Sequence, residues 1–125
     1  MESSIKELVL RTIKAQQSYV LTKFKDNSKS LIAKHLNMLY SQISVDNRKD
    51  ISFENMRQIV QKYSSNIGKK SLFRRLFFLE DHDANARIFA ADMVCQIIDS
   101  LEYRFVTGGD KLFPELLKIN SSFTL

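Results

Sequence analysis

Asp81, Asp83, Asn85 and Asp92 fall at the first, third, fifth and twelfth positions of a twelve-residue frame, the spacing at which oxygen ligands encircle a calcium ion. Ile88 holds the eighth position, and Ile51 precedes it by the separation that suits a second, paired loop ending in Ile51 to Met56. The ligand chemistry is incomplete in both. Where the turn needs glycine, the two loops carry Ala86 and Lys49. Where a bidentate glutamate belongs, they carry Asp92 and Asn55, and Ser44 replaces the leading carboxylate of the first loop. Tight calcium binding is not expected, and no other metal site is.

The remaining reactive residues give no catalytic set. His35 and His82 are the only histidines, and neither has a second ligand one helical turn away. His35 falls between Ile32 and Leu39 and reads as a half-buried helix residue. No glycine-rich phosphate loop occurs, and no serine or cysteine sits in a nucleophile setting. The single cysteine, Cys95, lies in an apolar stretch and reads as a small buried hydrophobe, with no second thiol to pair with. No enzyme activity, cofactor or small-molecule substrate is expected.

These residues need helices to position them. The chain has 125 residues, 44% of them hydrophobic, with three glycines and one proline, too few turn formers for an all-β protein. Apolar spacing predicts helices over 4–23 and 30–44, a third entered at Ser52, and further ones over 70–79, 84–106 and 111–119. Ser52 is placed to cap the third helix, with Ile51 stapled onto Met56, and Gly68 to end it in a left-handed conformation. Asp83 is placed to cap the helix over 84–106, which is apolar nearly all round and is expected at the centre of the packing. The fold class is all-α, five to six amphipathic helices in one domain over 1–125, or a piece of a longer helical repeat protein.

The acidic turn has a second reading. In HEAT-like repeats an Asp in the turn and an Arg at the start of the second helix tie neighbouring turns together. Asp81, Asp83 and Arg87 stand in those places, with Ala86, Ala90 and Val94 as the small and apolar positions that let helices pack closely. The plainer alternative is a capping Asp83 and a solvated Arg87. Arg87-Ile88-Phe89-Ala90-Ala91-Asp92 and Ile97-Ile98-Asp99, with Phe73-x-x-Leu76-Phe77 before them, resemble a HEAT segment of the D-type subunits of condensin. The resemblance reaches back through Val45-Asp46 and the stretch 53–61. It implies antiparallel hairpins, a scaffold that helps load condensin on chromosomes, DNA and the kleisin subunit as partners, and a nuclear location.

Nineteen basic against fourteen acidic residues give a net charge of +5, a mild preference for polyanions. Lys69, Lys70, Arg74 and Arg75 flank the entry to the helix over 70–79 and are the candidate nucleic-acid contacts, against the plainer reading of a solvated charged face. No run of eighteen apolar residues occurs and no secretory signal is legible, so an intracellular chain without a membrane partner is expected. The function expected is a non-enzymatic helical interaction or scaffold module with a protein partner and DNA as a second candidate. The alternatives are a degenerate EF-hand pair and a divergent viral Bcl-2-like protein. The EF-hand pair predicts a groove lined by Met38, Met56 and Met93 and a short strand pairing between Ile51 and Ile88.

Overall fold

The computed structural model describes residues 5–23, 28–48, 51–66 and 68–107, and among these the regular secondary structure is all α-helix. Five helices follow in order: α1 (Ile5–Lys23), α2 (Ser28–Ser44), α3 (Phe53–Ser65), α4 (Lys69–Leu76) and α5 (His82–Thr107). The helix expected over 111–119 lies outside the described residues.

Each bundle helix contributes one apolar stripe at the helical period. On α1 it is Val9, Ile13, Gln16 and Val20; on α2, Ile32, Leu36, Leu39 and Ile43; on α3, Phe53, Met56, Val60 and Tyr63. These stripes meet α5, which packs against α1, α2 and α3 and is the central helix, as its all-round apolar pattern predicts. Ala84, Ala86, Ala90 and Ala91 are buried along it, and such small side chains let neighbouring axes approach closely. Val94, Ile97, Ile98 and Leu101 complete one continuous core. Burying each such aliphatic side chain stabilises the fold by about 1.5–3 kcal/mol.

Polar contacts fix the helix ends. Ser52 accepts the Asn55 backbone N–H at 3.0 Å while the Asn55 side chain accepts that of Ser52 at 3.3 Å, a capping box that starts α3. Lys6 Nζ reaches from α1 to the Ser44 carbonyl at 3.0 Å and so closes the C-terminus of α2. Arg57 ties α3 to α5, with Nε 2.8 Å from Asp99 and a further ion pair to Glu102. Within this framework Gln16 is an exception. Its side chain is buried on α1, and its Oε1 has no hydrogen-bond donor among the described residues.

Two sequence expectations about helix ends are corrected. Gly68 does not end α3 in a left-handed turn; Asn66 is the C-cap, and Gly68 is the N-cap of α4 with φ −64°. The helix expected over 70–79 runs only from Lys69 to Leu76, because the chain turns left-handed at Phe78.

Candidate docking surface

No residue of α4 is buried in the folded core. Successive turns place Leu72, Phe73, Leu76 and Phe77 on one face, with Ser71 and Arg74 across from them. Arg74 donates through Nε and Nη2 to the Glu80 carbonyl at 3.2 and 2.8 Å. The apolar side faces water. Phe73 is 57% exposed, Leu76 67% and Phe77 62%, and α4 buries none of its residues. The two phenyl rings lie 4.6 Å apart and touch each other rather than the core.

The end of α4 extends this face. Leu79 N–H reaches the Arg74 carbonyl at 2.7 Å and Phe78 N–H the Arg75 carbonyl at 3.1 Å, the paired bonds of a Schellman turn. That turn places its penultimate residue in the left-handed region, where glycine is the usual choice because a Cβ is strained there. Here the residue is Phe78, with φ 60° and 97% of its surface exposed. Leu79 follows, also exposed.

Of the four basic residues expected as nucleic-acid contacts, all lie on α4 and are exposed. Arg74 is committed to the Glu80 carbonyl, whereas Lys69, Lys70 and Arg75 make no ion pair among the described residues. No carboxylate interrupts 69–79.

The turn residues Asp81, Asp83 and Arg87 do not form one tie. Asp81, not Asp83, caps α5: its Oδ1 accepts the Ala84 N–H at 3.0 Å, and this bond holds its carboxyl below the ordinary range. Asp83 instead reaches α2, 2.7 Å from Lys34 Nζ and 3.0 Å from His35 Nε2. Arg87 is not solvated. It crosses to α3, where Nε donates to the Tyr63 carbonyl at 2.7 Å. Because α4 buries nothing against α5, the two do not pack as the hairpin that a HEAT-like arrangement around them requires.

His35 and Tyr63 are the residues that sequence reasoning placed too loosely. His35 is only 3% exposed, with Nδ1 2.5 Å from the Tyr63 hydroxyl and Nε2 against Asp83. Burial pulls its basicity down more strongly than the Asp83 hydrogen bond restores it. The neutral ring therefore donates from Nε2 to the carboxylate and accepts the tyrosine O–H at Nδ1. The chain Asp83–His35–Tyr63 has the shape of a proton relay, but its terminal hydroxyl is buried and burial raises its pKa. It joins α2, α3 and α5 and offers no nucleophile. The signal was a polar ring on the core stripe of α2, which demands partners.

The calcium reading meets the helix directly. α5 begins at His82, so Asp83, Asn85 and Asp92 lie along a helix and cannot close a twelve-residue loop around an ion. No group of three or more His, Cys, Asp or Glu side chains able to hold a metal occurs among the described residues. Met56 and Met93 are buried in the core, Met38 is exposed, and no strand joins Ile51 to Ile88 among the described residues. His82 is exposed beside Glu80, at 3.5 Å. Burial raises the pKa of the Cys95 thiol, and Asp99 and Asp92 add to the shift. No described helix is long and apolar enough to cross a membrane.

Comparison with known proteins gives no match: no family model, no curated protein and no solved structure resembles the chain significantly.

Proposed function

We propose that this chain is a non-catalytic helical interaction module, in which the bundle of α1, α2, α3 and α5 presents α4 and its terminal turn as a docking element. One observation carries this reading: the apolar side chains of α4 and its terminal turn face water as one contiguous surface, and α4 buries none of its residues. Contiguous apolar surface of this kind, bordered by charge, marks a contact site. A chromosome-scaffold role, as the condensin resemblance implies, would place Lys69, Lys70, Arg74 and Arg75 on DNA phosphates. The exposed phenyl rings argue that charge is not the whole of the contact.

The test is photocrosslinking in cells with a benzophenone amino acid at Phe73, beside a control at Gln58, which is exposed on α3. Adducts from position 73 and none from 58 are expected. Equal labelling at both positions, or none at either, removes the proposal.

A further inference from the structure

The docking element calls for a partner that is both apolar and anionic. Leu72, Phe73, Leu76, Phe77, Phe78 and Leu79 are each about half exposed or more, while Lys69, Lys70 and Arg75 border them without a carboxylate in the stretch. A second copy of the same surface fails, because its cations would meet their own kind. Residues 108–125 offer no net complement either, since Asp110 and Glu115 are balanced by Lys111 and Lys118.

Shape separates the remaining choices. A groove cut for a helix reads one stripe at i, i+3 and i+4. Here the apolar surface leaves the helix axis at Phe78 and continues into Leu79, so it forms a convex cap rather than a stripe. A fluid acyl surface accepts any convex apolar tip, and aromatic rings with neighbouring cations are suited to the headgroup boundary. Of the nearby carboxylates, Glu80 is exposed beside His82, one acidic group against the three cations, and the other two are engaged elsewhere. Asp81 is turned to the start of α5 and Asp83 to Lys34 and His35.

We propose that the α4 cap seats the protein on anionic membrane surfaces, with Phe73, Leu76, Phe77 and Phe78 in the headgroup–acyl boundary and Lys69, Lys70 and Arg75 on the lipid headgroups. This rests on the docking reading above and names its partner. A surface contact needs no spanning helix, so the absence of a long apolar run, from which no membrane partner was expected, does not bear on it.

The test is sedimentation of the full chain with vesicles of phosphatidylcholine alone and of phosphatidylcholine with phosphatidylserine in a roughly three-to-one ratio. Binding to the anionic vesicles that weakens with added salt is expected, with little on the neutral ones. Lys70→Ala combined with Arg75→Ala should lower the partition by on the order of twentyfold, about fivefold per cation. Phe77→Asp should abolish binding with an unchanged circular dichroism spectrum, since the side chain is outside the core. No binding to anionic vesicles, or equal binding to both kinds, overturns the proposal. The benzophenone at position 73 distinguishes the two failures. Cellular adducts to a protein or to DNA, without vesicle binding, leave the docking element standing and remove the lipid. No adduct and no vesicle binding removes both.

Discussion

Arg87 closes the C-terminal end of α3 from the outside: its Nε donates to the main-chain carbonyl of Tyr63 at 2.7 Å while its guanidinium lies 3.9 Å from the centroid of the same residue's ring. One side chain thus supplies a hydrogen bond, a cation over an aromatic face, and positive charge at the negative end of a helix. Arg87→Ala is expected to cost about 1–3 kcal/mol, because a partly buried carbonyl loses its shorter hydrogen bond, keeping only the Asn66 N–H at 3.4 Å, and the tyrosine ring loses its cation. Urea denaturation gives the value. A midpoint equal to that of the parent would remove the tie.

His35 makes stability depend on pH in a defined direction. Its pKa is lowered in the folded protein from the ordinary 6.5. Between the two values the unfolded chain binds the extra proton and the folded one does not, so stability rises with pH there. The contribution is complete above about 6.5 and is lost as pH falls through that value toward the folded pKa. Urea midpoints between mildly alkaline and mildly acidic pH should decline on the acid side, and His35→Gln should flatten the decline. Asp83, lowered first by its hydrogen bond to Lys34, adds a separate loss at lower pH, as the carboxylate protonates below its ordinary 3.8.

Gln16 marks a place where the core can be improved. Its buried Oε1 has no donor among the described residues, and an unmet carbonyl costs about 1–3 kcal/mol. Gln16→Met has a similar length and removes the polar atoms, so a rise in melting temperature is expected. A fall would mean that the amide makes a contact worth more than the unmet oxygen costs.

Phe78 separates stability from binding. A non-glycine residue in the left-handed region carries strain of about 1–2 kcal/mol, and glycine relieves it at some cost in unfolded-state entropy. Phe78→Gly is therefore expected to keep or slightly raise the melting temperature while weakening vesicle binding. Thermal melts and sedimentation on the same sample decide it; a loss of stability would show that the ring packs.

The bundle was legible because stripes such as Val9, Ile13 and Val20, or Met56, Val60 and Tyr63, recur at a period that only a helix makes one-sided. The orientation of α4 was not. Its apolar residues have the spacing that a core helix would have, and spacing states which side chains share a face, not whether that face meets protein or water. Neither side of α4 is buried, and the bond that Arg74 makes, to the Glu80 carbonyl, stays within the same exposed segment. The roles of Asp81, Asp83 and Arg87 stayed hidden for a related reason. Their partners lie on three different helices, and a two-residue difference in where α5 starts exchanges cap for cross-helix contact.

Because α4 buries nothing, the stretch between Ser65 and His82 behaves thermodynamically as a connection, and connection length enters stability only logarithmically, about 0.6 kcal/mol per doubling. The core and this excursion are then open to different selection. Substitutions at Ile97 or Leu36 act on the buried core, whereas those at Phe73 or Lys70 leave it untouched. On the docking reading proposed above, exchanging residues 68–79 for another sequence of similar length should retarget the bundle while leaving its melting behaviour almost unchanged.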